Sequence, residues 1–264
     1  MSKNCSIMQR MKENYESRSK HFLTRRTPVI IRLDGKAFHT YTRGLDKPFD
    51  EGLIADMEET TKYLCENIQG IKIGYCQSDE ISLFLTDYDE INTQAWFDYN
   101  LQKVVSISAS MATAKFNELR LLRLAKFNEY DTARIDVDAL VENKLALFDS
   151  RAFSIPLEEV PNYFLARQKD AVKNSISMLA QSLYSQTELH KKNQSDMQEM
   201  IFKKGQNWND LDYRKKRGCT IKKVLELFTR EDGTKFVRGK WKSIETPINI
   251  TDLWTKENAP IVTQ

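Results

Sequence analysis

The run Val29-Ile30-Ile31-Arg32-Leu33 carries apolar side chains at consecutive positions rather than alternate ones. Successive side chains of a strand point to opposite faces, so such a run suits a sheet covered on both sides. The chain therefore needs a central strand sandwiched between layers. That strand ends at Asp34-Gly35, a turn signal. A second break has the same character. Ile71, Ile73 and Tyr75 lead into Gln77-Ser78-Asp79-Glu80, and Ile81, Leu83 and Leu85 lead away from it. This reads as two strands, 71–76 and 81–86, joined by a short hairpin. Both breaks place carboxylates at strand tips rather than on a solvated helix face.

The segments between these strands set the topology. Asp50 is an N-cap for a helix reaching about residue 68, with Leu53, Met57, Thr60 and Leu64 on one face. Residues 93–124 have helical periodicity, and 146–155 form a strand that stops at Pro156. The order is βαββαβ, which predicts an α+β (mixed α/β) fold with a ferredoxin-like core, the layout of polymerase palm domains and nucleotide cyclases. In that topology the first two strands run parallel, with the third antiparallel between them. The exit of the first strand and the hairpin then share one edge of the sheet, so Asp34 and Asp79 become neighbours.

Beyond this core, residues 4–22 read as an amphipathic helix and 157–184 as a long one. A polar, basic stretch extends to about residue 217. Strands 219–229 and 235–241 flank the turn Glu231-Asp232-Gly233-Thr234, giving a basic C-terminal hairpin. Residues 255–264 read as a loose tail. The expected division is a palm-like core with its N-terminal helix over 1–156, and a helical and basic region over 157–264 packed on it as one unit.

Composition narrows the class. The 264 residues are 41% hydrophobic and 29% charged, which argues against disorder throughout. The sequence has no apolar run near the roughly 20 residues that span a bilayer, and no leader-like start, so a cytoplasmic protein with no membrane partner is expected. Cys5, Cys65, Cys76 and Cys219 are too scattered for a zinc site and suit a reducing compartment. Charge is uneven. Residues 44–100 hold 3 lysines against 13 carboxylates, whereas 191–242 hold 15 Lys and Arg against 7 carboxylates. A basic half beside an acidic half suits a polyanion lying across one and cations held by the other.

Two carboxylates and a backbone carbonyl, from Asp34, Asp79 and Gly35, are the donors that a pair of Mg²⁺ ions needs for phosphoryl transfer. Glu80 is a further catalytic candidate, unless the alternation of its strand turns it away. In the loop that follows, Lys36, Ala37, Phe38 and His39 offer successive N–H groups to phosphates, as nests do, with Phe38 or Tyr41 against a base. Lys47 in Lys47-Pro48-Phe49-Asp50 has reach to a phosphate. Arg167, Asp170 and Asn174 share a helix face. Arg214, Lys215, Lys216 and Arg217, with Trp208 and Tyr213 nearby, are suited to RNA phosphates and a stacked base.

Taken together, Arg32-Leu33-Asp34-Gly35-Lys36-Ala37-Phe38-His39, Lys47-Pro48-Phe49-Asp50, Gly74-Tyr75-Cys76-Gln77-Ser78-Asp79-Glu80 and Phe148-Asp149-Ser150-Arg151-Ala152-Phe153 resemble the tRNA(His) guanylyltransferase family of 3′–5′ polymerases. Arg167-Gln168, Asp170 and Asn174 match its following helix. The resemblance implies an Mg²⁺-dependent nucleotidyltransferase that adds nucleotides, GTP favoured, to tRNA 5′ ends. It implies that Asp34, the Gly35 carbonyl and Asp79 hold two Mg²⁺, and that residues 34–39 with Ser78 and Asp79 bind the triphosphate. Lys47 and Asp50 would serve a second triphosphate or the RNA 5′ end, and Arg167, Asn174, Arg214, Lys215 and Arg217 would contact RNA. ATP or GTP as activator and a homotetramer are implied too. Val172-Lys173-Asn174-Ser175 resembles the branch that repairs truncated 5′ ends on a template more than the branch dedicated to tRNA(His). The residues themselves also suit a palm-type nucleotide cyclase, or an RNA-binding module without turnover.

Overall fold

A computed structural model describes residues 6–130, 145–230 and 233–254. The expected tail 255–264, and Glu231 and Asp232 of the hairpin turn, lie outside the described residues. The sheet is built from β1 (Val29–Gly35), β2 (Ile71–Gln77), β3 (Glu80–Leu85), β4 (Phe148–Ser154), β5 (Cys219–Thr229) and β6 (Lys235–Glu245). Their order is β4-β1-β3-β2-β5-β6, with every neighbouring pair antiparallel. Since β1 and β2 both oppose β3, they run parallel to each other, as the sequence predicts.

The unbroken apolar run of β1 has the expected cause. Val29, Ile30, Ile31 and Leu33 are fully buried, alternately against two layers. Val29, Ile31 and Leu33 join Ile81, Leu83 and Leu85 under α3 (Glu51–Asn67) and α4 (Leu101–Tyr130), where Met57, Leu64, Ala112 and Phe116 close the core. On the other face Ile30, Ile73, Tyr75 and Phe84 meet Val160 and Phe164 of α5 (Val160–Leu183) and Ile250 and Leu253 beyond β6. Each such side chain contributes about 1.5–3 kcal/mol on burial, which fixes the sandwich. Asp50 caps α3 as expected, accepting the Leu53 N–H at 2.6 Å.

A third apolar cluster joins α5 to the C-terminal helices α6 (Gln186–Leu189) and α7 (Gln194–Lys203), which the short α8 (Tyr213–Arg217) follows. Ile176, Leu179 and Ala180 of α5 pack there with Leu189, Ile201 and Trp208. Trp208 is therefore core, its Nε1–H donating to Ser175 Oγ at 3.0 Å, and not the base-stacking surface that the sequence suggested. Gly218, with φ of 75°, turns α8 into β5, where a Cβ would lie 2.4 Å from the Cys76 carbonyl oxygen.

Two helix boundaries differ from expectation. The N-terminal helix α1 spans only Ile7–Asn14 and buries nothing, so no packing extends it toward residue 22. The helix expected from residue 93 begins at Leu101. Trp96–Tyr99 instead form a tight turn in which Phe97, Asp98 and Tyr99 have φ of 53–55°, while Trp96 and Tyr99 are drawn into the core. Asn100 then caps α4, accepting the Lys103 N–H at 3.1 Å.

Candidate active site at the strand tips

The ladder register brings the acidic ends together. Asp34 stands opposite Glu80 on β3 and opposite Asp149 on β4. The Gly35 N–H donates to the Asp79 carbonyl at 3.0 Å, which docks the tip of β1 on the β2–β3 turn. Burial pushes the Asp79 carboxyl above its usual range, and the charge of Asp34 pushes it further. Among the described residues no group of three or more His, Cys, Asp and Glu is arranged around a metal. Two carboxylates and the Gly35 carbonyl nevertheless fit Mg²⁺. That ion takes few protein ligands and completes its shell with water and substrate phosphates. A half-buried aspartate beside a second carboxylate is also a pair that a cation relieves.

Gly35 is glycine for a reason the sequence did not show. A Cβ there would lie 2.3 Å from the Phe38 ring. Phe38 opens the short helix α2 (Phe38–Tyr41) and is buried, with its ring centroid 5.0 Å from Tyr41, 5.7 Å from Phe116 and 5.3 Å from Phe148. It braces the loop from below and does not present a free face to a base, contrary to expectation. The left-handed backbone falls instead at Ala37 and Ser78, with φ of 53° and 50°. For residues with a Cβ this conformation is strained, and such strain gathers at functional sites.

Both strained residues border a cleft of about 710 Å³, within the range of small-ligand sites. Gly35, Phe38 and His39 from the β1 loop and Gln77, Ser78 and Asp79 from the hairpin form one end. Lys47 and Asp50 line it from the start of α3, and Arg214 and Lys215 from α8. Arg214 is held by Glu58 at 3.5 Å and Glu51 at 3.3 Å, and Lys215 by Glu51 and by Asp212 at 3.4 Å. The cations expected to meet RNA are thus anchored to α3 at the cleft wall. The α5 wall carries Asn174, Met178, Gln181 and Ser182. Of these only Asn174 was singled out from sequence, although the 3–4 residue spacing from it would have reached the others.

Asp34, Lys36, Glu80, Arg167 and Arg217 stand outside the cleft wall. Alternation turns Glu80 toward the α5 face. Its carboxylate, on a side chain only 6% exposed, accepts from Arg32 Nη2 at 2.5 Å and Arg167 Nη1 at 3.3 Å. Burial outweighs both guanidiniums, so this carboxyl too lies above its ordinary range. Arg167 also pairs with Asp170 at 2.9 Å. The Arg217 carbonyl accepts from Tyr75 Oη at 2.5 Å.

The family model described as tRNAHis guanylyltransferase matches residues 8–156, which include the whole β1 loop and the acidic hairpin. The chain belongs to the tRNA(His) guanylyltransferase family. It is accordingly a nucleotidyltransferase of that kind. A bacterial tRNA(His) guanylyltransferase-like protein in complex with ATP is 43% identical, with a TM-score of 0.80 over 97% of this chain and 100% of that one. A structure of such a protein in complex with GTP, also 43% identical, has a TM-score of 0.73 over 94% of this chain and 95% of that one. The tRNA(His) guanylyltransferase of Debaryomyces hansenii is 26% identical over 226 residues, 80% of this chain and 78% of its own. Among the described residues no helix is long and apolar enough to cross a membrane.

Proposed function

We propose that this member of the family is an Mg²⁺-dependent nucleotidyltransferase that extends tRNA 5′ ends in the 3′–5′ direction, with GTP as a favoured nucleotide. The observation that carries the reading is the junction of Asp34, Gly35 and Asp79 at the strand tips, where Gly35 and Asp79 line a nucleotide-sized cleft that also carries Lys47, Arg214 and Lys215. The bacterial relatives solved with ATP and with GTP support a purine nucleotide there.

In this reading the loop 35–39 and the turn at Ser78 present backbone N–H groups to the triphosphate, and Lys47 adds a point charge. Arg214 and Lys215, already pinned to α3, meet phosphate without first losing side-chain freedom. Asp34, the Gly35 carbonyl and Asp79 would hold two Mg²⁺. When bound, those ions would lower the pKa of the attacking hydroxyl and offset charge on the phosphates. The incoming nucleotide's 3′ oxygen forms a bond to the 5′ phosphorus of the RNA. The bond from that phosphorus to its leaving group breaks, giving AMP from an adenylylated end or pyrophosphate from a triphosphate end, and the hydroxyl proton passes to solvent. Incubating 5′-truncated tRNA with Mg²⁺ and each nucleotide in turn tests the reading. Template-matched lengthening at the 5′ end is expected, and no product from any tRNA would refute it.

A further inference from the structure

Resting on that reading, we propose that the exposed tip of β4, with Arg151 and Lys36 beside Asp34, receives the 5′-terminal phosphate of the RNA, on the flank opposite the nucleotide cleft. The reaction must bring two phosphate-bearing reactants to one pair of carboxylates. On this reading the nucleotide occupies the cleft. Asp79 and Gly35 border it, but Asp34 does not, although its side chain is 40% exposed. In the ladder Asp34 lies between Glu80 of β3 and Asp149 of β4, so its exposed side chain can also be reached from the β4 side.

The register defines what lies there. β4 is the edge strand of the sheet, with Asp149 directly opposite Asp34 and Arg151 opposite Arg32. Paired residues of an antiparallel ladder share a face. So Asp149, Asp34 and Glu80 form one row at the tip, and Arg151 and Arg32 stand in the row behind. The start of α5 covers only the far end of β4, where the Phe153 and Tyr163 ring centroids lie 5.8 Å apart. The near end stays open, with the side chains of Asp149 and Arg151 59% and 53% exposed. Lys36 is joined to the same corner, its N–H donating 2.8 Å to the Leu147 carbonyl just before β4, and it too is exposed.

The arginines of this face are not equivalent. Arg32 and Arg167 are committed to the buried Glu80. Among the described residues Arg151 meets only an exposed carboxylate, that of Asp149, at 3.2 Å. Such a surface pair is worth little, so its guanidinium can exchange that partner for a phosphate that it grips with two N–H groups. Charged side chains on an edge strand are ordinary protection against sheet-to-sheet pairing. Here, however, the pair stands in the rows that contain Asp34 and Arg32, beside Lys36, which is exposed and does not line the cleft.

The test compares tRNA carrying a 5′-monophosphate with the same tRNA after dephosphorylation, bound to the full chain without nucleotide. The wild type should prefer the phosphorylated RNA. Arg151→Ala and Lys36→Ala should each weaken that RNA by about tenfold, the scale of one lost charge-assisted contact, and leave the 5′-hydroxyl RNA unchanged. Arg151→Lys should lie between. In turnover Arg151→Ala should raise the KM for RNA while the KM for nucleotide holds. A preference that survives in both alanine variants, or a rise in nucleotide KM alone, would overturn the proposal. A wild type that extends RNA yet ignores its 5′ phosphate overturns this proposal only, whereas one that binds neither RNA overturns the functional reading as well.

Discussion

Replacing Glu80 with Gln separates two roles for a residue that stands within one position of the catalytic candidate Asp79. The structure surrounds its carboxylate with Arg32 at 2.5 Å and Arg167 at 3.3 Å, on side chains 25% and 19% exposed. Hydrogen bonds to charged groups are worth about 1.5–3 kcal/mol each, and a glutamine oxygen keeps part of that. Both guanidiniums would lose their counter-charge but recover some hydration through their exposed fraction. The substitution also removes the cost of ionising a carboxyl that burial disfavours. The balance is a loss of about 2 kcal/mol, or about 4–8 °C in Tm for a chain of this size. Urea unfolding and calorimetry measure the first part, and 5′ extension assayed well below Tm measures the second. Turnover should fall less than about tenfold, under about 1.4 kcal/mol of transition-state stabilisation. Arg167→Met in the same background should cost less than the sum of the two singles. An unchanged Tm with extension reduced a hundredfold or more would refute this account and make Glu80 a participant in the chemistry.

The half-exposed Asp34 predicts a different outcome: Asp34→Asn should abolish extension while Tm stays the same or rises slightly, since a like-charge neighbour of Glu80 and Asp149 is removed. Asp79 has a raised carboxyl pKa in the fold, so its protonated form favours the native state. That contribution is present below the ordinary aspartate value and is lost as pH rises through the raised one. Extension, which needs the ionised form, should decline as pH falls through the same window, and Asp79→Asn should flatten the stability profile across it. Asp56→Ala should cost about 3 kcal/mol in urea unfolding, because this buried carboxylate joins Arg123 at 2.6 Å and Arg120 at 3.2 Å between α3 and α4. Lys47→Ala should raise the nucleotide KM about fivefold, near 1 kcal/mol, with kcat little changed.

The parts legible in the sequence are those set by short-range periodicity. β1 could be read because four of its first five residues are apolar, and only a doubly covered strand tolerates that. The Asp50 cap could be read because an N-cap depends on one side chain and one nearby N–H. The meeting of residues 34 and 79 followed from topology rather than from either motif, since β3 must lie between β1 and β2. What could not be read depends on partners distant in the chain. Nothing local reveals that Phe38 spends its ring on Phe116 and Phe148, that Trp208 is claimed by Ser175, or that Arg214 and Lys215 answer to Glu51 and Glu58. In each case a residue suited to a ligand is suited equally to the fold, and only packing decides.

The same rows of charge explain why a carboxylate at position 34 is available for chemistry at all. Like charges opposite one another in a ladder are destabilising, so the tip row Asp149, Asp34 and Glu80 needs compensation. Among the described residues the arginines supply it unequally: Glu80 takes two at short range, Asp149 takes Arg151, and Asp34 is left with Arg32 at 3.9 Å. Were Arg32 free to close on Asp34, that carboxylate would be neutralised within the protein. By drawing Arg32 away, Glu80 keeps Asp34 open to an external cation. Glu80→Gln should therefore release Arg32 toward Asp34 and weaken Mg²⁺ binding as well as the fold. A titration of the variant with Mg²⁺ in extension assays should show a higher half-saturating concentration, and an unchanged one would mean that Arg32 does not compete for Asp34.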